Sequence, residues 1–285
     1  MSVVLLISCP DRPGIVAATA DFIVSLGGNI SHAEQHVDHG SADRGPLFFQ
    51  RIEFDVSGRH IPPGDVAGAI EPIAREFEMT VVVRRTETAV PTAILASRQP
   101  HCLYDLLSRW RSGDLSIDLR VVVSNHPDHA DICGHLGVPF RHLPVGEDAA
   151  DQERRVLEAL DGYEVELVVL ARYMRILSNG FIERYPMRII NIHHSFLPAF
   201  VGANPYRQAH ERGVKLIGAT AHYATAELDE GPIIEQDTVH VSHRDDVGRL
   251  TAKGRDLETV VLARAVRAHV QHRIIVAGGK TVVFS

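Results

Sequence analysis

The chain reads as two α/β domains in series. A small βαββαβ domain is expected over residues 1–84, a linker over 85–91, and a larger, mostly parallel, Rossmann-like domain over 92–285. Three observations predict this. Strand-length apolar runs alternate with amphipathic helical stretches along most of the sequence. The order of elements changes at the polar stretch 84–90 (RRTETAV), which Pro91 closes. The 285 residues are enough to bury two cores.

The first domain is justified element by element. Residues 3–8 form an apolar strand. Asp11-Arg-Pro-Gly14 breaks the chain and opens a helix with Ile15, Ala18, Phe22 and Ile23 on one face. Gly27-Gly28 ends that helix. A strand over 29–37 follows, then a loop holding His39, Gly40 and Pro46, then a strand over 47–56. Pro62-Pro63 begins a second helix carrying Val66, Ile70 and Ile73, and residues 79–83 supply the last strand. This order is the ferredoxin-like plan.

The second domain starts with a short buried strand over 93–96 and a helix from about 101 to 110. A β-branched strand over 119–124 comes next, then a helix with Ala130, Ile132 and Leu136, then strands over 166–170 and 188–192. A strand near 216–222 precedes one opened by Gly231-Pro232, and a long helix carries Leu257, Val261 and Val266. The tail, 273–284, turns around Gly278-Gly279 as a hairpin. In parallel sheets of this kind, ligands bind beyond the carboxyl ends of the strands. Residues 191–194 fall at such an end.

Composition removes several classes. A net charge of −7 argues against a general binder of nucleic acid or anionic membranes. Cys9, Cys102 and Cys133 lie far apart and read as free thiols in a reducing compartment. No apolar run approaches the ~20 residues of a membrane span. The N-terminus lacks a basic segment and reads as a strand, so a cytoplasmic location is expected. The 17 histidines include no H-E-x-x-H and no spaced Cys/His set, so no metal is expected. His126, His129 and His135 read as a solvated helix surface.

Three segments carry the chemistry. In NIHHSFLP, 191–198, Asn191 and His193 lie two apart on a strand and share a face. An amide beside an imidazole suits acyl chemistry, the amide for a developing oxyanion and the imidazole for a proton. A structural histidine beside a turn asparagine is the alternative. The alternation of a strand sends His194 to the opposite face. In ELDEGPII, 227–234, Asp229 stands in a tight turn, either for backbone reasons or to orient His193. In RYMRILS, 172–178, a strand-to-helix loop can present backbone groups to a flat heterocycle, or can be an ordinary connection.

Together these segments resemble a known family. MRIL at 174–177, NIHHSFLPAFVGANPY at 191–206, GATAHY at 218–223 and LDEGPII at 228–234 are similar to the formyltransferase catalytic domain of glycinamide ribonucleotide and methionyl-tRNA formyltransferases. CPDRPGIVA at 9–17 resembles the opening of an ACT domain. An ACT domain ahead of this catalytic domain resembles the formyltetrahydrofolate deformylase family. The resemblance implies hydrolysis of 10-formyltetrahydrofolate, with no cofactor, and catalytic roles for Asn191, His193 and Asp229. It implies supporting roles for His222 and His194, and a folate pocket lined by Met174, Arg175, Ile176 and Leu177. It also implies an amino-acid effector at the loop of Asp11, Arg12 and Gly14, for which a plain helix-start turn around Pro13 is the alternative, and a homo-oligomer.

Two features separate hydrolysis from the alternative, formyl transfer to an amine such as glycinamide ribonucleotide. The transferases tend to have Pro where this chain has His194, and deformylases carry His there. A phosphorylated acceptor also needs a glycine-rich loop after the first catalytic strand. Residues 96–101 (ASRQPH) hold no glycine, and Pro100 removes a donor. Methionyl-tRNA formyltransferases place their catalytic domain first and add a basic RNA-contacting domain, and this chain is net acidic.

Overall fold

The computed structural model describes residues 2–40, 45–56, 63–146, 148–198 and 205–285. Pro62 and positions 199–204 of the 191–206 motif lie outside the described residues. Two compact units result, Met1–Ala89 with Gln271–Ser285, and Val90–Val270.

The first unit runs β1 (Ser2–Pro10), α1 (Ile15–Ser25), β2 (Gly28–Asp38), β3 (Leu47–Val56), α2 (Pro63–Glu76) and β4 (Thr80–Arg85). Its sheet is antiparallel in the order β2-β3-β1-β4. Side chains alternate along β1. Val3, Leu5 and Ile7 pack with Phe22 and Ile23 of α1 and with Val66 and Ile70 of α2.

The second unit runs β5 (Val90–Ala96), α3 (His101–Ser112), β6 (Ile117–Ser124), α4 (Ala130–Leu136), β7 (Phe140–His142), α5 (Ala149–Gly162), β8 (Leu167–Ala171) and α6 (Asn179–Arg184). It continues through β9 (Ile189–His193), α7 (Pro205–Arg212), β10 (Leu216–Tyr223), β11 (Ile233–His240) and α8 (Val247–Val270). The sheet order is β11-β10-β9-β8-β5-β6-β7. Strands β5 to β9 are parallel, while β10 is antiparallel to β9 and β11 to β10. Val156 and Leu160 of α5 and Phe181 of α6 join Leu95, Val123 and Val168 in one core. Helix α8 packs on β9, β10, β11 and α3.

Two boundaries differ from expectation. The stretch 85–91 is no free linker, because Arg85 ends β4 and Val90 and Pro91 begin β5. The polar residues 86–89 make only a turn, and the Thr86 N–H donates to the Ser2 carbonyl at 3.3 Å. The final hairpin, β12 (Ile274–Ala277) and β13 (Lys280–Val283), belongs with the first unit and not with the second. Its Ile275 and the following Phe284 cover Val4, Leu6 and Phe49 on the sheet face turned away from α1 and α2. Burial of side chains this size stabilises by about 1.5–3 kcal/mol each. Arg51, 5% exposed, also donates to the carbonyls of Gln271 and His272. The sequence cue was the unbroken apolar run from Val3 to Ile7, every residue of which is buried: such a strand needs both of its faces covered.

Three elements went unforeseen. Periodicity marks nothing between Leu136 and Glu166, where β7 and α5 form, and nothing between Pro198 and Leu216, where α7 forms. The signal for α5 is present in Gln152, Val156 and Leu160, spaced four apart and buried, behind an Asp148 N-cap that accepts from the Ala150 N–H at 2.9 Å.

Candidate active site

The sheet topology positions the site. From β5 the chain moves outward to β6 and β7, then returns to place β8 on the other side of β5. Connections leaving β5 and β8 therefore diverge, and a crevice opens beyond their carboxyl ends. A cavity of about 390 Å³ lies there. One wall is the loop Met174, Arg175, Ile176 and Leu177, with Met174 60% and Ile176 78% exposed. Exposed apolar side chains at a cavity mouth suit a flat heterocycle. The loop is held from below, where the Met174 N–H donates to Ser97 Oγ at 3.2 Å and Ser97 Oγ donates to Asn125 Oδ1 at 2.8 Å.

The facing wall holds Asn191, His193, His222 and Asp229. Strand β9 ends at His193, and its antiparallel pairing with β10 sets Asn191 opposite His222 and His193 opposite Thr220. Asp229 comes from the turn between β10 and β11, at φ 59°, in the left-handed region that Asp tolerates better than most residues. There its carboxylate reaches both imidazoles. His193 Nδ1 is 3.2 Å from Oδ2, and His222 Nε2 is 3.6 Å from Oδ1. The His193 hydrogen bond first, with the His222 ring beside it, outweighs burial and holds the Asp229 carboxyl well below the usual carboxylate range.

Protons can be placed from the partners. A carboxylate only accepts, so His193 Nδ1 carries a hydrogen, and in the neutral ring Nε2 keeps its lone pair. That Nε2 is buried with no hydrogen-bond partner among the described residues. His222 Nδ1 faces the Tyr223 carbonyl at 2.9 Å and so donates to it. Its Nε2 lies 3.2 Å from Asn191 Nδ2. When His222 is neutral, Nε2 accepts one N–H of that amide and fixes its orientation.

The segment after β9 is pinned behind the site. Thr220 Oγ1, fully buried, donates to the Ser195 carbonyl at 2.9 Å and accepts from the Leu197 N–H and from Gln236 Nε2. His194 already lies outside β9, so the alternation expected of a strand does not separate it from His193. The two rings meet edge to face with centroids 5.0 Å apart, and both line the cavity. Burial, helped by the Arg172 charge, pushes the pKa of His194 down to about 4. His272 in the first unit is likewise pushed down to about 4, by burial and then Arg84.

A pH dependence of stability follows. Both histidines have folded pKa values below the ordinary 6.5, so the unfolded chain binds more protons between about pH 6.5 and 4. The free energy of unfolding is expected to fall as pH drops through that window, each histidine contributing up to about 1.4 kcal/mol per pH unit. Denaturant titrations at stepped pH test it. A His194→Gln variant with the wild-type slope would refute the part assigned to His194.

On the other side of His194 lies a polar cluster absent from the sequence reading. Glu258, 1% exposed, accepts from Tyr206 OH at 2.6 Å on Oε1 and faces His101 Nε2 at 2.8 Å on Oε2. Arg172 Nε is 3.4 Å from the same Oε2. Gly254, one turn earlier on α8, leaves room for the Tyr206 ring, since a β-carbon there would overlap the phenol oxygen. A signal existed, because Glu258 occupies the buried stripe with Leu250, Gly254 and Leu262. His101, Cys102 and Glu258 have ligand atoms within 4.8 Å of one another, a metal-like spacing invisible in the sequence. Both Glu258 oxygens are engaged within the chain, and burial raises the Cys102 thiol well above its ordinary value.

Other expectations fare unevenly. His129 is not solvated: it is 1% exposed and its Nε2 lies 2.6 Å from the Ser97 carbonyl, supporting the loop after β5. His135 is exposed and His126 half-buried. In the first unit, Asp11, Arg12 and Gly14 are exposed at the start of α1. The Arg12 guanidinium lies 4.5 Å over the Phe77 ring and donates to the Glu76 carbonyl. The described residues contain no helix long and apolar enough to cross a membrane.

An amide, two imidazoles and a carboxylate at the crevice of such a sheet, in a chain whose sequence opens with a βαββαβ unit, define an α/β enzyme of the formyl-transferring class. Known proteins agree: the formyl transferase family matches residues 91–266, and the ACT domain family matches residues 3–75. A formyltetrahydrofolate deformylase of Synechocystis sp. is 51% identical over 286 residues, spanning 100% of this chain and 99% of that protein. The crystal structure of a formyltetrahydrofolate deformylase from Pseudomonas syringae pv. tomato matches with a TM-score of 0.95 at 44% identity, covering 100% of this chain and 94% of that one. Glycinamide ribonucleotide transformylase 1 from Symbiobacterium toebii matches with a TM-score of 0.67 at 30% identity, covering 72% of this chain and 98% of that one. The chain belongs to the formyltetrahydrofolate deformylase family.

Proposed function

We propose that Asn191, His193 and Asp229 carry the hydrolysis of 10-formyltetrahydrofolate to formate and tetrahydrofolate. The observation that carries this reading is the His193 imidazole, whose Nδ1 faces Asp229 at 3.2 Å while its buried Nε2 has no partner among the described residues. That is the arrangement of an oriented general base. Water attacks the formyl carbon and gives a proton to Nε2. The Asn191 amide, oriented by His222, donates to the oxyanion. The imidazolium, stabilised by Asp229, returns a proton to N10, the C–N10 bond breaks, and formate and tetrahydrofolate leave.

The loop Met174, Arg175, Ile176 and Leu177 is the wall we assign to the folate, and His194 supports the base as a neutral ring packed against it. No cofactor enters this scheme, since every proton has a seat in the chain. Removing one oxyanion donor costs about 10²–10³ in rate, so Asn191→Ala should lower kcat for formate release by that factor. Near-wild-type turnover in Asn191→Ala would remove Asn191 from the mechanism. The acceptor is tested by incubating protein and 10-formyltetrahydrofolate with and without glycinamide ribonucleotide: formate release should need no amine.

For the ACT domain we assign the exposed loop of Asp11, Arg12 and Gly14 to an amino-acid effector. Arg12 is already engaged with Glu76 and Phe77, so the backbone around Gly14 and the Asp11 carboxylate are the recognition groups we assign to it. A homo-oligomer and a cytoplasmic location complete the reading, with the released formate available as a one-carbon unit for purine biosynthesis.

A further inference from the structure

Arg172 follows β8 directly and stands at φ 60°. A β-carbon makes that backbone conformation costly, and among the residues lining the two cavities it is shared by Asp229. The Arg172 side chain is 14% exposed and turns to the buried Glu258, with Nε 3.4 Å from Oε2. A second cavity, of about 440 Å³, opens on that side, walled by Gln99, His101, Tyr206 and Glu258. Arg207 and Arg255 stand exposed at it. The two cavities share three wall residues, Arg172, Met174 and His194. Of these, Arg172 forms an ion pair with Glu258 of the second cavity's wall.

We propose that Arg172 decides the formyl acceptor: paired by charge with Glu258 at 3.4 Å, its side chain is the partition that keeps the second cavity from opening onto His193, so that water and not an amine reaches the formyl carbon. The cavity behind the partition has the chemistry of an acceptor pocket. Without Arg172, Glu258 Oε2 keeps only His101 as a partner and can accept a further hydrogen bond from an amine or hydroxyl. In place of the glycine-rich loop that residues 96–101 lack, Arg207 and Arg255 offer positive charge to an anionic group at the far end of such a molecule. Without the partition an amine nitrogen takes the place of water. A C–N bond forms as the C–N10 bond breaks, and one amine proton passes by way of His193 to N10. The inference rests on the hydrolytic reading above, and formate release by the wild type without amine tests that reading separately.

The test uses Arg172→Gly, which relieves the backbone strain, and Arg172→Asn, which tolerates the left-handed region and is too short to reach Glu258. Each is incubated with 10-formyltetrahydrofolate and glycinamide ribonucleotide, and the ratio of formylated amine to formate is measured by mass spectrometry. The ratio should rise at least about tenfold over wild type in both variants, a difference of about 1.4 kcal/mol between competing barriers. Folded variants that keep the wild-type ratio would overturn the proposal. Wild-type protein supplies an arm that needs no variant: glycinamide ribonucleotide should not inhibit its formate release. Inhibition competitive with the folate would mean that the amine enters with Arg172 in place, and would equally overturn it.

Discussion

Asp229→Asn is expected to lower kcat for formate release by about 10³-fold while leaving the fold intact, within the range that positioned acid–base groups contribute. The carboxylate performs two tasks that an amide of the same shape cannot. It accepts from His193 Nδ1, which leaves the lone pair of the neutral ring on Nε2, and in the mechanism proposed above its charge would stabilise the imidazolium formed when water gives up its proton. An Asn side chain can rotate to present N–H groups to Nδ1 and so favour the wrong tautomer. Because the Asp229 carboxyl lies well below the usual range, it stays ionised at neutral and mildly acidic pH, and no activity limb there should belong to it. Turnover measured beside thermal unfolding decides the matter. A kcat within tenfold of wild type in a folded Asp229→Asn protein would mean that the contact does not serve catalysis. Equal losses in kcat and kcat/KM would place its contribution in the transition state.

Gly231→Ala is expected to cost both stability and activity through one atom. An added β-carbon would overlap the Tyr223 carbonyl oxygen and lie 2.9 Å from its carbon. Both are backbone atoms of the strand that carries His222, and the Tyr223 N–H is bonded to the Pro232 carbonyl at 2.9 Å. The collision therefore cannot be relieved by a rotamer change, and the turn must move away from β10. Asp229, two residues earlier and already at φ 59°, moves with it. We expect a loss on the order of 2–4 kcal/mol in unfolding free energy, as for other enforced overpacking and backbone strain, together with a loss of at least about 10²-fold in kcat, within the range of positioned acid–base groups. Asp229→Ala provides the contrast, since it should lose activity without a comparable stability loss. A Gly231→Ala protein with wild-type stability would show that the turn accommodates a side chain and does not set the Asp229 position.

Much of the fold was legible because it follows from periodicity. The order β1-α1-β2-β3-α2-β4 emerges from runs of period two and faces of period 3.6, and Asn191 and His193 share a cavity because strand alternation requires it. Where the prediction failed, a local rule met a nonlocal one. The terminal hairpin was assigned to the nearer domain in sequence, yet the uncovered face of β1 lay in the other unit and Phe284 fills it. His129 was read as surface because its neighbours are polar, yet its ring is buried against the carbonyl of Ser97.

The trio of Asn191, His193 and Asp229 divides along the same line. The sequence by itself determined that an amide and an imidazole stand at a strand end and that an acid stands in a Gly-Pro turn. Side-chain alternation and turn chemistry are properties of neighbouring residues, so they need no third dimension. Only the tertiary structure decided that Asp229 meets His193 at 3.2 Å, that His222 lies against the Asn191 amide, and that Arg172 comes within 3.4 Å of Glu258. Those contacts join β8, β9, β10, the β10–β11 turn and α8. Their distances depend on how the sheet orders its strands and where α8 lies on it, which no run of neighbouring residues contains.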